Sequence, residues 1–160
     1  MNNVYLGIGG NLGNPVENIN SALIMLGDSC CVVAVSKFYT SPLLKLDGTA
    51  DLEAPVYYNV CCFVATNLQE FELLDEINNI ENRLGRVRDN QNKNSSRTLD
   101  IDILFFNDLV LNTENLQIPH PRLYERDFVL VPLCEIAKDF VCPLTGRSCR
   151  VLLECVSKLK

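Results

Sequence analysis

Arg97-Thr98-Leu99-Asp100-Ile101-Asp102-Ile103-Leu104-Phe105 alternates apolar and polar residues from Thr98 to Ile103, the period of a half-buried strand. Leu99, Ile101 and Ile103 then point into a core, while Thr98, Asp100 and Asp102 share the opposite face. Carboxylates two residues apart on one strand face sit about 7 Å apart at Cα. Their oxygens can approach to about 4 Å, where repulsion costs roughly 1 kcal/mol in water and about 4 near a protein surface. Such a pair beside a core asks for a cation. Hard divalent ions suit oxygen ligands, and Mg2+ typically takes one or two carboxylates plus substrate phosphates. Arg97, just ahead of the pair, is placed to grip those phosphates from the side.

Working back from this strand, the 86–97 stretch is a long polar loop carrying Arg86, Arg88 and Arg97. Before it, Asn67 caps a predicted helix from about Leu68 to Leu84, with Phe71, Leu74, Ile77 and Leu84 inward and Gly85 at its end. Residues 57–65 read as a strand, residues 40–56 as a long loop with Pro42, Gly48 and Pro55, and residues 31–39 as another strand. At the start, Val4 to Ile8 form a first strand that leads into the glycine-rich turn Gly9-Gly10-Asn11-Leu12-Gly13. Asn14, Pro15 and Glu17 open a helix as N-cap, N1 and N3. That helix runs to about Leu26, with Val16, Ile19, Leu23 and Leu26 in one stripe and Gly27 as its stop. The order β-α-β-β-α-β predicts an α+β, ferredoxin-like antiparallel sheet with two helices on one face. The remainder adds a hairpin strand near 109–111, a loop through Pro119-His120-Pro121, and helices near 132–138 and 148–158 that could cover the other face.

The chain has 160 residues, 48% apolar and 21% charged, which predicts a single domain spanning 1–160 with a core of its own. The net charge of −6 argues against nucleic-acid or anionic-membrane partners. Within it, Arg83, Arg86, Arg88 and Arg97 form a local basic cluster suited to a small anionic ligand, or simply a solvated loop. No apolar run approaches the length of a membrane span, and the first residues lack a signal-peptide pattern, so a cytoplasmic location is expected. The eight cysteines include no Cys-x-x-Cys pair and the chain has one His, so they read as structural thiols rather than a zinc site.

The glycine turn fails as a dinucleotide fingerprint, because Leu12 stands where the third glycine is needed, and no GxxxxGK[ST] phosphate loop is present. His120 is either a bystander or a phosphate contact, and Arg126 and Phe128 after it could complete a polar and aromatic wall. Tyr57 and Asn59 share one strand face, and an amide beside an aromatic ring can read a flat heterocycle; ordinary strand surface is the alternative. Glu81 lies near the end of the second helix, one turn before Arg86, where a surface helix carboxylate is the plain reading.

In order, the chain carries Tyr5-x-Gly7-x-Gly9-x-Asn11-x-Gly13, Tyr57-x-Asn59, Glu81-x3-Gly85-Arg86-x-Arg88, Arg97-Thr98-Leu99-Asp100-Ile101-Asp102-Ile103-Leu104, and Pro119-His120-Pro121-Arg122-x3-Arg126-x-Phe128-x-Leu130-x-Pro132-Leu133. It resembles the 6-hydroxymethyl-7,8-dihydropterin pyrophosphokinases of folate biosynthesis from about residue 4 to 156. The resemblance implies transfer of pyrophosphate from ATP to the pterin 6-hydroxymethyl group, with release of AMP. It implies two Mg2+ ions on Asp100 and Asp102, with Arg86 and Arg97 acting on the polyphosphate. It further implies ATP contacts at Arg88, Ile103, His120 and Arg126, and a pterin pocket of Ser41, Pro42, Tyr57, Asn59 and Phe128, with Glu81 supporting. Many members carry a Trp-Gly-Pro where this chain has Asn94-Ser95-Ser96, a Lys can occur at Asp89, and some have a phosphate-binding Arg at Asn115. Free-standing and fused folate enzymes both fit. A non-catalytic ferredoxin-like ligand-binding module and a nucleotidyltransferase that releases pyrophosphate are the rival readings.

Overall fold

The computed structural model describes residues 1–44, 49–86 and 96–158. Its elements are β1 (Asn2–Gly10), α1 (Pro15–Leu26), β2 (Cys30–Val35), β3 (Tyr39–Ser41), β4 (Leu43–Leu44), β5 (Ala50–Asp51), β6 (Tyr57–Thr66), α2 (Glu70–Arg83), β7 (Asp100–Phe106), β8 (Leu111–Asn112), β9 (Gln117–Ile118), α3 (Asp127–Ala137) and α4 (Cys149–Ser157). The main sheet runs β2-β6-β1-β7, antiparallel throughout, with β3 pairing the start of β6. This is the expected ferredoxin-like order.

Alternation along the strands builds a core on each sheet face. On one side Val4, Leu6 and Ile8 of β1, Cys62 and Val64 of β6, and Ile101 and Ile103 of β7 meet Ile19 and Leu26 of α1 and Leu73, Ile77 and Ile80 of α2. On the other, Cys61 and Phe105 meet Leu130 and Leu133 of α3 and Cys149 and Leu152 of α4. A register shift in the β1–β7 pairing, between Tyr5 and Leu6, leaves Leu104 as the extra residue; Leu104 and Phe105 both then serve the second core. Cys30 is buried and Cys31 exposed, whereas Cys61 and Cys62, on a strand covered on both faces, are both buried; all eight thiols are unbridged.

The helix starts show where local chemistry decides. Asn14 Oδ1 accepts from the Glu17 backbone N–H at 3.3 Å, so α1 begins as expected. The expected Asn67 cap of α2 is wrong: Gln69 is the N-cap, and its N–H donates to the Glu72 carboxylate at 2.8 Å. The helix presents Leu73, Ile77 and Ile80 to the sheet and leaves Phe71 43% exposed. The third helix begins at Asp127 rather than near Pro132, and Pro132 lies buried inside it. The 40–56 stretch, expected as loop, contains β4 and β5 paired to each other. The expected 31–39 strand breaks at Ser36, whose hydroxyl accepts from the Cys61 N–H at 2.9 Å. No helix among the described residues is long and apolar enough to cross a membrane.

Candidate active site

Gly10 ends β1 where its neighbour comes too close for any side chain: a Cβ there would lie 2.4 Å from the Thr98 carbonyl oxygen. The adjoining Asn11 is 4% exposed and works as a clamp. Its Oδ1 accepts from the Arg97 N–H at 2.9 Å, its Nδ2 donates to the Pro55 carbonyl and the Ser96 hydroxyl, each at 3.0 Å, and its own N–H donates to the Arg97 carbonyl at 3.0 Å. The glycine turn thus fixes the chain just ahead of β7 rather than a dinucleotide.

Leu99, just before β7, and Ile101 and Ile103 on it are buried, and Asp100 and Asp102 face a cleft on the other side of the sheet. Asp100 is held by two guanidiniums: Arg86 Nη2 reaches Oδ1 at 2.8 Å, and Arg97 Nη1 pairs with Oδ2. Arg86 also pairs with Glu81, which is 1% exposed and accepts from the Ile101 N–H at 2.8 Å. Glu81 is therefore a buried carboxylate behind the strand, not a surface one. It ties α2, the strand backbone and Arg86 into one unit. Arg97 also interacts with the Tyr57 hydroxyl.

Asp102 has no such close cation. Arg126 Nη1 and His120 Nε2 each stand 3.7 Å from its oxygens, beyond hydrogen-bond length. Burial and the neighbouring Asp100 carboxylate push its carboxyl up to about 7, with Arg126 pulling the other way. Burial and Arg126 push the His120 imidazole down to about 4, so it is neutral near pH 7. His120 Nδ1 accepts from the Arg122 N–H at 3.2 Å, which leaves the proton of the neutral ring on Nε2, facing Asp102. Arg126 has a buried Nε without a hydrogen-bond partner, and its guanidinium lies 5.6 Å from the Phe128 ring centroid. A buried unpartnered donor beside a cleft is an opening for a ligand oxygen.

The same cleft is walled by Ser41 at the end of β3 and the adjoining Pro42, by Tyr57 and Asn59 of β6, and by Phe128 in the first turn of α3. Asn59 Nδ2 donates to the Ser41 hydroxyl at 2.9 Å, and a Cβ at Gly9 would crowd Asn59 Oδ1 at 2.9 Å. Glu135 of α3 accepts from the Lys37 N–H and the Tyr39 hydroxyl, each at 3.0 Å, and so fastens the helix bearing Phe128 to the segment bearing Ser41.

Of the residues expected at the site, the structure brings Arg97, Asp100, Asp102, Arg126, Ser41, Pro42, Tyr57, Asn59 and Phe128 to one cleft. Arg86 and His120 reach its two aspartates. The Ile103 side chain lies in the helix-covered core on the opposite sheet face and is not brought to the cleft. Arg88 and most of the 86–97 loop lie outside the described residues. Sequence reasoning assigned no role to Asn11 or Arg122, although both lie within motifs it quoted; an Asn following two glycines was the available signal for the first. As for metals, no group of three or more His, Cys, Asp or Glu that could hold an ion occurs among the described residues. What the chain offers is two strand carboxylates and space in front of them. That donor set fits a hard ion completing its shell with ligand oxygens and water, and Asp102 carries the unrelieved repulsion such an ion would remove.

Three comparisons bear on this cleft. The sequence profile of the family described as 7,8-dihydro-6-hydroxymethylpterin-pyrophosphokinase matches residues 5–138. A Haemophilus influenzae 2-amino-4-hydroxy-6-hydroxymethyldihydropteridine pyrophosphokinase is 40% identical over 141 residues, covering 87% of this chain and 84% of the relative. The Dictyostelium discoideum folic acid synthesis protein FOL1 is 40% identical over 142 residues, but this chain, matched over 89% of its length, spans only 20% of it. A Pneumocystis carinii folic acid synthesis protein is 38% identical over 91% of this chain and is likewise spanned over only 19% of its length. Among solved structures, Plasmodium falciparum HPPK-DHPS wild type superposes with a TM-score of 0.78 at 16% identity, over 99% of this chain and 45% of that one; it bears on the fold alone.

Proposed function

The chain belongs to the 7,8-dihydro-6-hydroxymethylpterin-pyrophosphokinase family, and from that premise we propose that it transfers the β,γ-pyrophosphoryl unit of ATP to 6-hydroxymethyl-7,8-dihydropterin, releasing AMP. The observation that carries this reading is the two-sided cleft. One side is a strand-borne carboxylate pair surrounded by guanidiniums, and the other is an amide, a hydroxyl and an aromatic ring.

On the heterocycle side, Phe128 supplies a ring face for stacking, and Asn59, held by Ser41, presents its carbonyl oxygen to ring N–H groups. On the phosphate side, Asp100 and Asp102 would hold two Mg2+ ions, which neutralise polyphosphate charge and make the substrate hydroxyl more acidic. With those carboxylates engaged, Arg86 and Arg97 turn their donors to phosphate oxygens. Arg126, through its unpartnered Nε, and His120, through its Nε2 proton, bind the same chain of phosphates. The pterin hydroxymethyl oxygen attacks the β-phosphorus, the bond from that phosphorus to the α,β-bridging oxygen breaks, AMP departs with the oxygen, and the hydroxyl proton is lost to water. Catalysis here is positioning and charge neutralisation. Arg88 and Ile103 are proposed to contact the nucleotide, Ile103 through its backbone. The chain works either alone or as one part of a longer folate protein, as in the Dictyostelium and Pneumocystis relatives.

The test is product analysis. Incubated with ATP, Mg2+ and the pterin, the protein is expected to yield AMP and a pyrophosphorylated pterin in equal amounts. Release of pyrophosphate would identify a nucleotidyltransferase. Binding of both ligands without turnover would identify a binding module.

A further inference from the structure

We propose that Arg122 is a polyphosphate-binding residue of this cleft, adding to the arginines already assigned there a guanidinium that pairs with no carboxylate among the described residues. The inference rests on the reading that the cleft takes a nucleoside triphosphate. Arg122 lies in the 3-10 helix Pro121–Glu125, four positions before Arg126, and the two line the same cavity as Arg97, Asp100 and Asp102. Among the described residues, each of the other guanidiniums at the cleft faces a carboxylate. Arg86 is shared by Glu81 and Asp100, Arg97 lies on Asp100, and Arg126 stands 3.7 Å from Asp102. Arg122 pairs with no carboxylate among the described residues, and its side chain is exposed at the cleft.

Its backbone is fixed where its charge matters. The Arg122 N–H donates to His120 Nδ1 at 3.2 Å, so the residue that sets the tautomer of His120 also brings a guanidinium beside it. Its positive field reaches both neighbours and helps push His120 and Arg126 down. Arg122, with no carboxylate partner of its own and with Arg126 nearby, adds positive potential to the cleft, and that potential favours an incoming anion. The pterin is neutral and offers nothing for that charge. The polyphosphate carries several negative charges, and a guanidinium matches its oxygens in a two-pronged geometry.

The test uses Arg122→Met and Arg122→Lys in the full chain, with thermal melts to show both fold. Dissociation constants are measured with Mg2+ for AMP, ADP, the α,β-methylene analogue of ATP, and the pterin alone. Arg122→Met is expected to weaken the triphosphate analogue about tenfold and leave AMP and pterin within about twofold, the low end of one hydrogen bond to a charged group. Arg122→Lys should recover much of the loss. An unchanged analogue affinity, an equal loss for AMP, or a loss confined to the pterin would overturn the assignment. Turnover of the unmodified protein is measured on the same preparation. Absence of AMP removes the proposed reaction, whereas an unaltered nucleotide series in an active enzyme removes only the role of Arg122.

Discussion

Asp102 is the residue whose environment is least satisfied. Its partners stop at 3.7 Å, and burial with the Asp100 charge raises its carboxyl to about 7, far above the ordinary value near 4. In metal-free protein the folded state therefore binds a proton that the unfolded chain releases near pH 4. That contribution to stability is complete below about pH 4 and is lost as pH rises toward about 7. Melting in EDTA should accordingly show Asp102→Asn gaining on the unmodified protein as pH goes from 5 to 8; parallel curves would contradict the raised carboxyl. Glu81 sits at the other extreme, buried and fully engaged. Glu81→Ala strands Arg86 and the Ile101 N–H, and is expected to cost about 3 kcal/mol in denaturant melts. The strand pattern made the acid pair legible from sequence. The burial of Glu81 was not, because nothing in a helix near its C-terminal end distinguishes a carboxylate facing solvent from one facing a strand N–H twenty residues later.

At the scale of elements, what could be read was what is set locally. The alternation in β7 and the Asn14-Pro15-Glu17 start of α1 each depend on neighbours a few residues away. What failed was competition between local signals. Asn67 is the expected cap of α2, but Gln69 takes that place with its N–H on the Glu72 carboxylate, and packing against the sheet selects Leu73, Ile77 and Ile80 and leaves Phe71 outside. Pro132 looked like a beginning because proline is costly inside a helix, yet α3 carries it buried. That earlier start places Phe128 in the first turn of α3, facing the cleft. The corrected face of α2 is testable by substitution. Ile77→Ala, at a 1% exposed position, should cost about 2–4 kcal/mol, whereas Phe71→Ala should cost under about 1, as read by urea unfolding. The reverse order would restore the earlier face.

At the scale of the molecule, the cleft is assembled from both ends of the chain. β1, β6 and β7 supply its floor, and the wall bearing Arg126 and Phe128 is held against the sheet by α3, with α4 packed behind it through Cys149, Leu152 and Val156. The family profile stops at residue 138, so α4 lies beyond the matched segment. Removing residues 148–160 should uncover that second core, lower the melting temperature, and weaken pterin binding through the displaced Phe128 wall. A truncated chain with unchanged melting and pterin affinity would show α4 to be dispensable. The 160 residues carry a net −6, while Arg97, Arg122 and Arg126 line the cleft and Arg86 reaches its Asp100, so the proposed nucleotide would meet a local basic patch in an acidic chain.

The account turns on two strand carboxylates serving polyphosphate transfer from one side of a cleft while the heterocycle binds on the other. The most direct measurement compares AMP release and pterin binding in the unmodified protein and in Asp100→Ala and Asp102→Ala, each with Mg2+ and with EDTA. The expected result is Mg2+-dependent AMP release in the unmodified protein, a fall of about a thousandfold or more in each variant, and pterin affinity little changed. AMP release by Asp102→Ala at the unmodified rate, or release that persists in EDTA, would contradict it.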